Sequence, residues 1–169
     1  MAISFVYADG MVMPDPLAVQ EHRRGDFLIS TDRARLDLDL IHNFLTNCYW
    51  AKGIPRKTVE TSIEHSLCFG IYDKDGQQAG FARVISDFAT VAYLGDVFVL
   101  EAYRGRGLSK WLMECIAQHP ALQNLRRWIL LTRDAHGLYA KFGFTPMANP
   151  DRYMELHRPD VYRIPGKTP

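Results

Sequence analysis

The stretch YLGDVFVLEAYRGRGLSKWLM (residues 93–113) changes character twice. Its first eight residues are dense in β-branched and aromatic side chains and read as a strand. Gly105 and Gly107 then interrupt the run. Glycine is costly in regular structure, but it lets a backbone turn tightly and brings its N–H groups close to a ligand. From there Leu108, Leu112, Cys115 and Ile116 recur at helical spacing, with Trp111 beside them. Strand, glycine-rich turn and helix start follow one another without a gap. A helix N-terminus presents unpaired N–H groups and the positive end of the helix dipole, so it attracts anions. Arg104 and Arg106 add guanidinium groups suited to phosphate oxygens.

The familiar phosphate loops do not fit. The stretch lacks the G-x-x-x-x-G-K-[ST] pattern. It also fails the dinucleotide fingerprint, because Lys110 occupies the third glycine's place. The preceding strand, moreover, ends an antiparallel meander. LCFGIY (67–72) runs into the turn signal DKDGQQ, then AGFARVI (79–85), then TVAYLGDVFV (90–99). After the glycine turn, the helix should end near His119-Pro120. RWILLT (127–132) is then a continuous apolar run, expected to be a strand covered on both faces. Strand, helix and strand form a crossover unit.

Working outward, DFLIS (26–30) is expected to be the first strand of the core. A helix carrying Leu38, Ile41 and Leu45 follows Asp37 as its cap, and Pro55 opens a second helix that buries Val59 and Ile63. Residues 1–25 read as an N-terminal extension, with a short strand at Ile3–Tyr7. DAHGLYAKFGF places Ala135, Leu138 and Phe142 on one helix face, and Gly143 can end that helix in the left-handed conformation. FTPM and RYMELH are expected to be two closing strands.

At 169 residues the chain suits one domain, and 47% apolar with 23% charged residues is a globular composition. A net charge of +1 gives no global field for nucleic acid or an acidic membrane, so recognition must be local. Cys48, Cys68 and Cys115 lack C-x-x-C spacing and read as reduced core residues. None of the six histidines has metal-ligand spacing, so no metal is expected. No apolar run is long enough to span a bilayer, and MAISFVYADGMVM has no basic n-region. These features lead to an expectation of a cytoplasmic protein, monomeric or homodimeric.

The order of meander, R-G-R-G-L-S into a helix, buried strand, and A-x-x-L-Y-x-K-F-G-F resembles the GNAT superfamily of acyl-CoA-dependent N-acetyltransferases. Arg104, Gly107 and Ser109 fall on the family's Arg/Gln-x-x-Gly-x-Gly/Ala signature, with Ser109 departing from Gly/Ala. Ala135, Leu138, Tyr139, Gly143 and Phe144 form the second match. Thr132 stands where members often carry an asparagine that contacts pantetheine.

The resemblance spans roughly residues 27–157 within a single domain. It implies an α/β fold, with a mixed, mostly antiparallel sheet flanked by helices and a β-α-β crossover carrying the pyrophosphate loop. It also implies acetyl-CoA as co-substrate. The loop amides of Arg104, Gly105, Arg106, Gly107, Leu108 and Ser109 would cradle its pyrophosphate. Val97, Phe98 and Val99 would offer backbone groups to the pantetheine arm, while their side chains pack in the core.

Acetyl transfer to an amine needs a neutral nucleophile, a polarised thioester and a proton for the departing thiolate. The resemblance places Tyr139 near the coenzyme sulfur, and packing against Phe144 is compatible with that role. Asp96 is a candidate base, or alternatively a residue that shapes a bulge beside Gly95. Glu101 reads as a solvated charge. In the family the first two helices shape the acceptor pocket, where Tyr49 and Trp50 fall. Arg83, on a strand face with Phe81 and Ile85, reads either as an acceptor-carboxylate ligand or as the partner of a carboxylate such as Asp87. The leading expectation is acetyl transfer to the amine of a small molecule or peptide. The alternative is an acyl-CoA sensor of the same fold without transferase activity.

Overall fold

The meander expected between residues 67 and 99 forms the middle of the sheet. The computed structural model describes Asp15 and residues 18–162, so the strand expected at Ile3–Tyr7 lies outside the described residues. Six strands stand in sequence order: Glu21–Arg24 (β1), Phe27–Ser30 (β2), Leu67–Tyr72 (β3), Gln78–Ser86 (β4), Val91–Val99 (β5) and Arg127–Leu130 (β6). Each of the first four pairs antiparallel with the next, and β6 runs parallel to β5. Helices Leu38–Asn47 (α1) and Arg56–Glu64 (α2) connect β2 to β3. Leu108–Gln118 (α3) makes the crossover from β5 to β6, and the short helix His136–Tyr139 (α4) follows β6.

Local signals account for most of these boundaries. The Asp37 carboxylate accepts the Leu40 N–H at 2.9 Å and starts α1. Pro55 sits at the cap of α2. The alternation of side chains along the strands feeds two cores. On one face Phe69, Ile71, Val84 and Leu94 pack with Leu112 and Ile116 of α3. On the other, Phe81 and Phe98 pack with Ile41, Leu45 and Val59 of α1 and α2. A Cβ on Gly80 would lie 2.7 Å from the Phe98 carbonyl, so the close approach of β4 to the end of β5 requires glycine there.

Four expectations need correction. DFLIS is the second strand, because the charged run Glu21–Arg24 pairs with it across a tight turn in which Gly25 has φ +55°. Charge disguised this strand, yet an edge strand tolerates charges well. RWILLT is not covered on both faces: β6 stops at Leu130, Trp128 to Leu130 are half-buried, and Leu131 is 73% exposed. Among the described residues it is the last strand of the sheet, with one turn of α4 following it.

FTPM and RYMELH form no strands among the described residues, since neither finds a neighbour to pair with. The helix of DAHGLYAKFGF is a single turn continued as 3-10 helix over Ala140–Phe142, and Gly143 ends it at φ +84°.

Candidate active site

β5 has two neighbours for half its length and one for the rest. Val91 to Leu94 pair with β6 opposite Arg127 to Leu130, and then the two strands part. From Gly95 to Val99 only β4 pairs with β5, and that ladder is itself irregular. Phe81 faces Phe98 and Arg83 faces Gly95, so Ala82 stands opposite both Asp96 and Val97. Asp96 has φ +53°, the left-handed conformation of a bulge residue. The bulge reading of Asp96 thus describes its backbone. The side chains of Phe98 and Val99 are buried and Val97 packs against the larger core, so only their backbone faces the opening. Phe98 stacks on Phe44 with ring centroids 3.8 Å apart.

The open edge of β5 leads directly to the glycine loop. Gly105 and Gly107 have φ of +76° and +74°, and a Cβ built on either meets nothing within 4 Å. The conformation therefore calls for glycine while the space above the loop stays clear. Gly107 is the N-cap of α3, and no side chain caps that end. Its free N–H groups and dipole make an anion-binding end. Leu108 is buried beneath, and Ser109 is half-buried beside it.

The two loop arginines behave differently. Arg104 donates from Nε to the Val99 carbonyl at 3.2 Å, tying loop to strand and leaving its terminal nitrogens for an anion. Arg106 instead lies over the rings of Tyr103 and Phe27, at 5.8 and 6.0 Å. Tyr103 in turn donates its hydroxyl to Asp73 at 2.7 Å. That packing holds the Arg106 side chain to the β2 side of the loop, which leaves only its amide to line the open face.

Tyr139, at the end of α4, is buried and packed edge-on against Phe144 at 5.9 Å. Burial pushes its phenol up to about 12, and Tyr49, Asp134 and Tyr93 add to the rise. It therefore remains protonated throughout the neutral range and keeps its hydroxyl hydrogen to donate. Thr132 accepts the Ala135 N–H at 3.0 Å through its hydroxyl oxygen and so starts the turn into α4.

Asp96 joins three elements. One carboxylate oxygen accepts Arg83 Nε, and the other accepts the Trp50 indole N–H at 3.1 Å. Arg83 also reaches Ser66 Oγ at 3.3 Å. This corrects the pairing expected for Arg83: its carboxylate partner is Asp96, whereas Asp87 holds the turn to β5 through Ala89, Thr90 and Val91. The Arg83 and Asp96 side chains are only 18% and 10% exposed, so this pair is largely dry.

Trp50 meets Tyr49 edge-on at 4.9 Å, and the Arg133 guanidinium lies 3.9 Å over the Tyr49 ring. Tyr49 and Trp50, both partly exposed, thus form a wall on the α1–α2 connection across from the end of β6. Arg133 and Ser66 were invisible in the sequence. Nothing in the spacing of Arg133, just beyond an apolar strand, signals a partner more than eighty residues earlier. Glu101 is exposed, as expected. Among the described residues no cluster of three or more His, Cys, Asp or Glu is placed to hold a metal, and no helix is long and apolar enough to cross a membrane.

Comparison with known proteins bears on the family and the fold. The acetyltransferase (GNAT) domain family matches residues 64–146, from the end of α2 through the turn after α4. A protein of Gibberella zeae assigned by name as an acetyltransferase is 33% identical, over 72% of this chain and 80% of the relative. A GNAT-family crystal structure from Xanthomonas campestris pv. campestris is 55% identical with a TM-score of 0.79, covering 82% of this chain and 97% of that one. A structure from Staphylococcus aureus is 26% identical with a TM-score of 0.63, covering 78% of this chain and 98% of that one.

Proposed function

The chain belongs to the GNAT family of acetyltransferases, and from that premise we propose that it moves an acetyl group from acetyl-CoA to the amine of a small molecule or peptide. One observation carries the reading. The half of β5 that has no partner on its β6 side leads, through a 3-10 turn at Glu101–Tyr103 and the glycine loop, to a helix start that has clear space above it and no side-chain cap. A strand edge offers backbone groups to an amide-bearing chain, and an uncapped helix start takes phosphate. Acetyl-CoA carries both features, and when bound it supplies the activated thioester.

The residues divide the work. The Arg104 N–H is taken by the Glu101 carbonyl at 3.1 Å, which corrects its expected place in the cradle, so the amides from Gly105 to Ser109, with the terminal nitrogens of Arg104, hold the pyrophosphate. The backbone of Val97 to Val99 aligns the pantetheine arm along the opening, beside Thr132 on the opposite side. Tyr139 donates a hydrogen bond to the sulfur as negative charge develops there. A phenol held near 12 releases its proton less readily than a thiol, whose reference value is about 8.5, so its contribution is a preorganised donor rather than complete proton transfer.

Asp96 acts here as a positioning residue. Both of its oxygens are engaged, and it fixes Trp50 and Arg83 onto the β5 bulge. The amine's proton then leaves through solvent at the open mouth between Tyr49, Trp50 and Arg133, where the acceptor enters. Because Arg83 is held by Asp96, Arg133 is the cation that meets an acceptor.

The test is a panel of amines incubated with acetyl-CoA and monitored by free-thiol release. Thiol release that depends on the amine, with a mass gain of one acetyl group on the acceptor, is the expected result. Tight acetyl-CoA binding with no turnover across a broad panel would replace transfer with sensing.

A further inference from the structure

We infer that the acceptor is a free α-amino acid with an apolar or aromatic side chain, its carboxylate held by Arg133 on the Tyr49 ring. The inference rests on the transferase reading and names the substrate class of the same site.

The mouth offers one cation prepared for a planar anion. The Arg133 guanidinium lies 3.9 Å over the Tyr49 ring, so one of its faces is spent on the aromatic and its in-plane N–H edge is left. Stacking fixes that edge, and a guanidinium fork matches a carboxylate through two parallel hydrogen bonds. Its contact with Asp134 is 4.0 Å long between two largely exposed side chains, a weak pair in water. Arg83 is excluded from the role because Asp96 and Ser66 already hold it.

The order of charges fits a zwitterion. Asp134 stands beside Arg133 and is close enough to Tyr139 to help raise its phenol. A ligand carboxylate on Arg133 therefore turns the neighbouring amine toward Asp134 and Tyr139, where the thioester sulfur lies on the transferase reading. A phosphate dianion in that place would meet the Asp134 charge with a single guanidinium to offset it. The first residue of a peptide carries an amide where a free amino acid carries its carboxylate, and would leave Arg133 without an anion.

The surface beside the cation is apolar. Tyr49 and Trp50 are 49% and 42% exposed and meet edge-on. On the sheet face that Phe81 shares with α1 and α2, Ile85, Tyr93 and Ile129 stand side by side on β4, β5 and β6. Ile85 is 42% exposed, and Tyr93 and Ile129 are half-buried. A Cβ on Gly95 would lie 3.1 Å from the Tyr93 ring, so that ring lies along β5 toward Asp96. An apolar side chain projecting from the same carbon as the amine and carboxylate would cover this surface.

The reaction balances without a further reactant. The ammonium loses one proton to solvent, and the amine attacks the thioester carbon. The C–N bond forms as the C–S bond breaks, and the second proton leaving nitrogen balances the one the thiolate takes up. The products are the N-acetylamino acid and free coenzyme A.

Thiol release and product mass, measured for phenylalanine, tryptophan and leucine, each beside its carboxamide and its decarboxylated amine, test the inference. At least one of the three amino acids should exceed both of its analogues in kcat/KM by about 10 to 100-fold, the range of a charge-assisted pair. Arg133→Gln should remove most of that ratio through the KM of the amino acid. Arg133→Lys should restore only part of it, since an ammonium keeps the charge and loses the stacked fork. Analogues turned over as well as the amino acids, or an unchanged ratio in Arg133→Gln, overturn the inference and leave transfer standing. Should nothing be acetylated, calorimetry of the same amino acids with the coenzyme A complex decides. Binding that Arg133→Gln abolishes keeps the amino acid site and overturns transfer, whereas no binding overturns the inference.

Discussion

The two halves of β5 have similar residues and opposite surroundings. Val91 to Leu94 lie between β4 and β6, and their inward side chains, Ala92 and Leu94, are buried. Gly95 to Val99 keep one neighbour, carry a bulge with a left-handed aspartate, and expose a backbone edge. Strand propensity does not distinguish them, since valines and aromatics occur in both. The difference comes from β6, which ends its pairing at Leu130 and turns away. On the proposed function, the first half of β5 serves stability and the second serves binding. Mutations in the two halves, and in the groups that face them, should separate accordingly.

The largest effect is expected at the junction of the halves. Asp96→Ala leaves the Arg83 guanidinium largely buried without its partner, and removing one member of such a pair costs about 3–5 kcal/mol. Urea unfolding should show that loss. As a positioning residue, Asp96 should also affect the acceptor's KM more than the acidic limb of the kcat–pH profile. Unchanged stability with loss of that limb would instead make Asp96 the base.

Leu94→Ala, in the paired half, should cost about 2–5 kcal/mol of stability through the cavity it opens, while calorimetry finds coenzyme A affinity unchanged. A matching loss of affinity would erase the division between the halves.

On the open half the effects should reverse. Tyr139→Phe keeps the contact with Phe144 and removes one preorganised donor, so kcat should fall roughly 10² to 10³-fold with little change in coenzyme A affinity. The raised phenol also has a stability signature. Its neutral form is favoured in the fold, so its contribution is complete below the unfolded value of 10 and is lost as pH rises toward about 12. The phenylalanine variant should lose less stability than wild type over that window, by up to about 2–3 kcal/mol. Equal alkaline losses would place Tyr139 in a wetter setting.

Arg104→Glu is expected to have the smallest effect. Losing one charge-assisted contact of about 1.5–3 kcal/mol should weaken coenzyme A roughly 10 to 100-fold and leave pantetheine binding nearly unaffected.

The parts legible in the sequence were those governed by neighbours along the chain. Asp37 as a cap, the turn after Tyr72, the two loop glycines and the apolar spacing of α3 each depend on a few consecutive residues. What escaped depended on partners far away. RWILLT carries the same apolar signal as LCFGIY, yet β3 lies between two strands and is buried throughout, while β6 lies at an edge. RYMELH has a strand's alternation, but no neighbour among the described residues completes it. The candidate site divides in the same way. The loop and Tyr139 belong to local motifs, whereas the Arg83–Asp96–Trp50 connection and the stacking of Arg133 on Tyr49 exist only once four separate segments meet.

The central claim is that coenzyme A occupies the half of β5 that lacks a β6 partner and the start of α3, and amide hydrogen exchange with and without coenzyme A tests it most directly. Exchange should slow over Gly95 to Val99 and over Arg104 to Lys110, while β1 to β3 stay unchanged. Protection spread over β1 to β3, or its absence from both of the named segments at saturating coenzyme A, would contradict the account.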